Sequence, residues 1–249
     1  MIRQNILITG ASSGLGKGMA IQFAKQGRNL ALCARRLENL EALKAELEQI
    51  NPNITVIIKS LDVNDHPAVF DVFKQFSAEL GRLDRVIINA GMGKGASIGT
   101  GHFHANKQTG ETNFIAAIAQ AEAAMEIFRE QNSGHLVTIS SISAVRGFGR
   151  AMTVYAATKA AITSLSEGIR VDVMNTPIKV SCIHPGFIRS EINETVEKVP
   201  FIVDLETGCK VLVKAIDKEK ANSFVPSWPW SFLHWVLRIV PLSALRKMS

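Results

Sequence analysis

Short apolar runs rich in β-branched residues alternate along this chain with longer segments in which apolar residues recur every three to four positions. The first pattern is that of a strand covered on both faces, and the second that of a helix with one apolar stripe. The runs predict seven strands, over 2–9, 29–34, 54–59, 84–89, 135–140, 178–184 and 222–226. Helices are predicted between them at about 14–27, 37–50, 65–80, 106–131, 152–175 and 204–217. In the second helix Leu37, Leu40, Leu43 and Leu47 form the stripe, and the Glu and Lys positions between them face water. Regular alternation of strand and helix is the pattern of βαβ units, so the expected fold is α/β, a doubly wound, parallel seven-stranded sheet. Residues 1–249 read as a single domain whose last part, 227–249, is an apolar C-terminal tail.

Composition narrows the classes. With 47% hydrophobic and 20% charged residues the chain has material for a core and is not a disordered polymer. Its 28 Lys and Arg against 22 Asp and Glu give a net charge of +6, which favours anionic ligands. The charge is diffuse, with no basic run and no interleaved aromatic stripe, so no nucleic-acid partner is expected. Cys33, Cys182 and Cys209 are odd in number and widely spaced, which argues against a disulfide framework and for a reducing, cytoplasmic setting. The apolar stretch Ile6-Leu7-Ile8 is too short for a signal peptide.

Candidate chemistry begins at the first strand end. Thr9-Gly10-Ala11-Ser12-Ser13-Gly14-Leu15-Gly16 places three glycines where the chain must turn and bring backbone against something bulky. A pyrophosphate on the N-terminus of the following helix explains them; a tight strand-to-helix turn alone is the plainer alternative. A P-loop would need Gly at 11 and Ser or Thr at 18, where the chain has Ala11 and Gly18. Folds that prefer NAD carry a carboxylate about 20 residues beyond the glycines to take the ribose 2′-hydroxyl. Here the second strand runs out as Ala34-Arg35-Arg36. Two guanidiniums suit a 2′-phosphate, so NADP is the expected cofactor, unless the arginines only begin a solvated helix. Asp62-Val63 and Asn89-Ala90-Gly91 follow the third and fourth strands, at the ends where ligands bind in open α/β sheets.

The chain contains a single tyrosine, in Tyr155-Ala156-Ala157-Thr158-Lys159. Residues four apart share a helix face, so the lysine cation is expected beside the phenol. A neighbouring cation favours the phenolate and would move a pKa of about 10 toward working pH, as a general acid/base needs. The pair follows a strand that ends in Ile139-Ser140-Ser141.

Taken in order, T-G-x-x-x-G-x-G at 9–16, N-A-G at 89–91, a serine at a strand end, Y-x-x-x-K at 155–159 and Pro185-Gly186 resemble the single-domain branch of the short-chain dehydrogenase/reductase family. The resemblance covers about residues 1–226 and implies a Rossmann fold and hydride transfer between NADP(H) and a carbonyl or alcohol. It implies that Tyr155 protonates the substrate oxygen, that Lys159 holds the nicotinamide ribose and lowers the phenol pKa, and that a serine holds the carbonyl. Asn113, 24 residues beyond Asn89, matches the family's helix asparagine, which supports the lysine through water. Gly10, Ser12, Ser13, Gly14, Leu15 and Gly16, then Arg35, Arg36, Asp62, Val63, Asn89, Ala90 and Gly91, and finally Tyr155, Lys159, Pro185, Gly186, Ile188 and Ser190 are the positions this implies for the cofactor. The residue 13 before Tyr155, where the family usually has its serine, is Ile142. Ser141 is therefore the better match, with Ser143 as alternative. Ser190 stands where the family often has threonine.

His102-x-His104 has no carboxylate or cysteine nearby, and no metal is expected. Competing functions are a 3-oxoacyl carrier-protein reductase and, in another class, a non-catalytic NADP-binding sensor or scaffold. The first commonly has a different ending, and the second has no need of an intact Tyr155. The Ala-rich helices at 106–131 and 152–175 allow close approach, and the family usually pairs such helices into dimers or tetramers. All three tryptophans, Trp228, Trp230 and Trp235, lie in the tail with Phe232, Leu233, Val236, Leu237, Ile239 and Val240. Between Ser227 and Pro241 there are only 13 residues, against about 20 needed to span a bilayer. Residues 228–247 are expected to contact a membrane peripherally, to cover a hydrophobic substrate as a lid, or to form a subunit interface.

Overall fold

The structure, a computed structural model, describes residues 2–93, 95–189 and 201–248. Strands β1 (Asn5–Thr9), β2 (Asn29–Ala34), β3 (Val56–Ser60), β4 (Arg85–Ile88), β5 (His135–Ile139), β6 (Lys179–Pro185) and β7 (Asn222–Val225) form a parallel sheet in the order β3-β2-β1-β4-β5-β6-β7. Helices α1 (Gly14–Lys25), α2 (Leu37–Ile50), α3 (His66–Glu79), α5 (Ala116–Gln131), α6 (Met152–Asp172) and α7 (Leu205–Asp217) make the crossovers. A short α4 (Phe103–Gly110) runs through a π-helical turn, Glu111–Ile115, into α5. The tail forms α8 (Ser227–Ile239) and α9 (Leu242–Met248).

Side-chain period explains the layers. In β1, Ile6 and Ile8 point to the face covered by Met19 and Phe23 of α1, Leu40 of α2 and Leu212 of α7. Leu7 points to the other face, onto a core that includes Phe73 and Phe76 of α3, Phe128 of α5 and Ile162 of α6. Burial on both faces is why the strands read as unbroken apolar runs. Helix α1 lies close on α7 because Gly18 has no side chain: a Cβ there would collide with the Cys209 thiol.

The sheet order reverses between β1 and β4, which places their C-terminal ends side by side and opens a crevice there. The opposite end of the sheet is tied by charge. Arg85, with its side chain 2% exposed, meets Asp217 at 2.7 Å and donates from Nε to His135 Nδ1 at 2.9 Å. Arg3 Nε meets Glu219 at 2.8 Å.

Two expectations are refined. The segment read as a helix over 106–131 starts three residues earlier and is interrupted at the π turn. The tail, for which no element was expected, is helical, with apolar residues on two opposite faces, one of them packed on the body.

Candidate active site

At the β1 end, Thr9 Oγ1 accepts from the backbone N–H groups of Asn89 and Ala90, each at 3.1 Å. Asn89 Nδ2 donates back to Thr9 O at 2.9 Å and to Gly10 O at 3.3 Å. These bonds draw the two strand ends so close that a Cβ on Gly10 would lie 2.8 Å from Ala90 Cα, and Gly10 has a left-handed φ of +64°. The Asn89 side chain is thus a tie within the crevice wall. The first turn of α1 contains no acidic residue, and Ser13 makes no side-chain cap. Its hydroxyl instead accepts from Arg36 Nη2 at 3.0 Å, with Ser12 Oγ at 3.3 Å from the same nitrogen. The leading N–H groups of α1, with the helix dipole behind them and neither an acid nor a side-chain cap at their start, suit an anion such as a pyrophosphate. Arg35 and Arg36 are both exposed at the end of β2. Asp62 accepts from the backbone N–H and side-chain amide of Asn64, both at 3.0 Å, while Asp65 caps α3. Val63 is buried in the core.

At the β5 end, Ser141 begins a 3₁₀ turn (Ile142–Val145), its hydroxyl accepting from Ser143 N at 3.1 Å. The same hydroxyl is close enough to the Tyr155 phenol to favour its ionised form. The Ser143 hydroxyl is buried with no hydrogen-bond partner among the described residues, and Ser140 is engaged with Lys159 O at 2.9 Å. Ser141 is the serine that the structure brings to Tyr155. On α6, Lys159 Nζ lies 5.8 Å from the tyrosine ring centre and donates to Ile139 O at 2.9 Å. The lysine therefore sits below the ring rather than on the hydroxyl. Burial pushes the phenol above its ordinary value, and Ser141 opposes that rise only in part. Burial also pushes Lys159 down to about 8, with Cys182 acting the other way. The phenol is raised rather than lowered in the protein alone, because desolvation outweighs the opposing effect of Ser141.

Asn113 sits inside the π turn, a helical irregularity that often marks functional positions. It accepts from Met92 N at 2.8 Å and donates to Met92 O at 2.9 Å and to Thr158 Oγ1 at 3.3 Å. A Cβ on Gly91 would lie 3.2 Å from Asn113 Oδ1 and 3.7 Å from Lys159 Nζ, so glycine keeps open the space between amide and ammonium.

A family model described as short chain dehydrogenase matches residues 4–199. The chain belongs to the short-chain dehydrogenase family. An uncharacterized oxidoreductase of Mycobacterium tuberculosis is 49% identical over 247 residues, covering 99% of this chain and 98% of that protein. The NADP-dependent 3-hydroxy acid dehydrogenase of Schizosaccharomyces pombe is 31% identical over 193 residues, covering 76% and 73% of the two chains. Among solved structures, a short-chain dehydrogenase from Sphingobium yanoikuyae in complex with NADPH superposes with a TM-score of 0.80 at 26% identity, covering 95% and 96%. This chain is accordingly an oxidoreductase of that family, with its Rossmann-like fold.

In this short-chain dehydrogenase the turn after β6 is roofed by the tail. A Cβ on Gly186 would collide with the Trp230 indole, which is 4% exposed and meets Phe187 edge to face at 5.4 Å. Trp230, Leu237 and Leu245 pack with Ile142 of the serine turn. Arg146, from the same loop, donates from Nη1 to the carbonyls of Leu237 and Val240. Ile188 is buried against Gly208, so its side chain serves the core. Ser190 lies outside the described residues.

Sequence reasoning named Trp230 only as one of the tail's apolar residues, and missed Arg146 and any role at the site for the buried pair Cys182 and His184. His184 lies 3.4 Å from Ser141 O and stacks on Phe224 at 4.8 Å. Burial would lower His184, but its bond to Cys182 raises it. Burial would likewise raise Cys182, and His184 holds it below its ordinary value. The only signal was their place just before Pro185-Gly186. A groove of about 530 Å³ lies between Phe148, Arg150, Leu242 and Arg246, and none of Ser141, Tyr155 or Lys159 lines it. Among the described residues no helix is long and apolar enough to cross a membrane.

Proposed function

We propose that this dehydrogenase interconverts a hydrophobic carbonyl compound and its alcohol with NADP(H), using Tyr155 as proton donor and acceptor. The observation that carries the reading is that the Ser141 hydroxyl and the Tyr155 phenol lie close enough to interact, with Lys159 on the next turn of the same helix. When bound, the nicotinamide supplies or takes up the hydride. Two hydroxyls that converge can hold one carbonyl oxygen, and the phenol can pass its proton to that oxygen as it gains charge. Lys159 would hold the nicotinamide ribose, with Asn113 fixing the wall opposite it. A desolvated phenol raised above its ordinary value stays protonated, which suits the donor in the reducing direction.

Gly10, Gly16 and the uncapped start of α1 would take the pyrophosphate, and Arg35 and Arg36 the 2′-phosphate. Support for NADP over NAD is the pair Arg35 and Arg36, with no carboxylate, directly at the end of β2, the fastening of Arg36 over the glycine turn, and the cofactors named for the S. pombe and S. yanoikuyae proteins. Support for a hydrophobic substrate is the Trp230, Phe187 and Leu233 cluster beside the β6 turn. The test is NADPH oxidation against ketones of graded chain length, with NADPH and NADH binding measured in parallel. NADPH is expected to bind more tightly, and Arg35→Asp and Arg36→Asp to reverse that order. Equal affinities in the unmodified protein defeat the cofactor assignment.

A further inference from the structure

Helix α8 has an apolar face in excess. Trp230, Leu233 and Leu237 are turned to the body, yet Phe232, Trp235 and Ile239, at positions i, i+3 and i+7 of the other face, are 58%, 63% and 81% exposed. Trp228 before them and Leu242 after them are 76% and 73% exposed. A helix apolar all round belongs in a buried place, and single exposed apolar residues do not form such a stripe. Something covers this face.

We infer that the exposed face of α8 docks on an anionic lipid surface. Charge selects this occupant. From Asn222 onward there are three basic residues, Arg238, Arg246 and Lys247, and no acidic one. Arg238 flanks the stripe, exposed, its guanidinium 5.2 Å from the Trp235 ring centre. A twofold contact between two copies of this face would set arginine against arginine with no tail carboxylate to answer it. Anionic headgroups answer it, and tryptophan favours the depth at which apolar chain meets headgroup. The helix has 13 residues, enough to lie in the interface and too few to cross. Docking by this face leaves Trp230, on the opposite side of the same helix, over the β6 turn.

The experiment is flotation of the full-length protein with vesicles of phosphatidylcholine, with and without phosphatidylglycerol. Binding is expected to be at least roughly tenfold stronger with the anionic lipid, and to weaken as salt is raised. Tryptophan emission should shift to the blue on binding, and Trp228→Phe with Trp235→Phe should remove the shift while binding persists. The triple variant Phe232→Ser, Trp235→Ser, Ile239→Ser alters exposed side chains only, so it should keep its melting temperature and lose vesicle binding. Arg238→Gln with Arg246→Gln should abolish the preference for anionic lipid. Failure of the unmodified protein to bind either vesicle overturns the inference, as does undiminished binding by the folded triple variant. So does a dimer, seen by sedimentation, that the triple variant dissociates in a protein that does not bind lipid. None of these readouts depends on turnover, so they stand apart from the proposed reaction.

Discussion

Tyr155 and Lys159 are four residues apart, but the environment acts on them separately. Removing only the phenol oxygen, by Tyr155→Phe, should leave NADPH binding in place and reduce turnover at least about a hundredfold, as read by steady-state kinetics and cofactor fluorescence. For Lys159 the consequence concerns stability. Its folded value of about 8 lies below the unfolded value of 10.5, so between those limits the unfolded chain holds the extra proton. Stability from this group therefore rises as pH rises above 8. Cys33 and Cys209, pushed up to about 12 by burial, act in the opposite sense above their ordinary value of 9.0. The difference in unfolding free energy between the wild type and Lys159→Met, followed by denaturant titration, cancels the thiols and should grow from pH 8 toward 10. A flat difference would show the lysine to be solvated. The pairing was legible in the sequence because a lone tyrosine sits in a spaced motif; the direction of its shift was not, since burial has no local signature.

At the scale of elements, the alternation of period two and period 3.6 carried the sheet and its crossovers, because each strand is covered on both faces and each crossover helix on one. It did not carry α8, whose two apolar faces leave no single stripe to read, nor the π turn at Asn113, where one residue is wound in without changing the composition. Contacts between helices were equally hidden. Gly18 read only as evidence against a P-loop, whereas it is the point where α1 meets α7. Gly18→Ala should destabilise the fold by roughly 1–3 kcal/mol through overpacking on Cys209. Cys209→Ala in the same chain should return much of that loss, a coupling that a double-mutant cycle on urea midpoints would measure. Additive costs would mean that the helices shift freely instead.

For the whole molecule, reaction and anchorage lie at opposite ends of the sheet. The crevice needs open space, while at the other end the Arg3, Arg85, Asp217 and Glu219 network is packed, with ion pairs from Arg3 to Glu219 and from Arg85 to Asp217 and Glu219. Burial would raise the Glu219 carboxyl, but its hydrogen bond from Arg3 holds it below the ordinary 4.5. Its contribution is thus present above that value and lost as pH falls through the folded one. Glu219→Gln should cost on the order of 1–2 kcal/mol near neutrality, the gap closing in acid, as equilibrium unfolding at several pH values would show. A gap independent of pH would assign the loss to packing.

The Arg146 bonds to Leu237 and Val240 bear on how a shortened protein should be understood. The loop that follows Ser141 spends its arginine on the end of α8, and Ile142 is covered by the same tail. Cutting the chain after Pro226 would remove both partners at once, leaving a stranded cation and a bare apolar residue next to the serine. The tail is a keystone rather than an appendage, and its gain or loss in a lineage would reshape the reaction centre along with whatever surface the molecule touches.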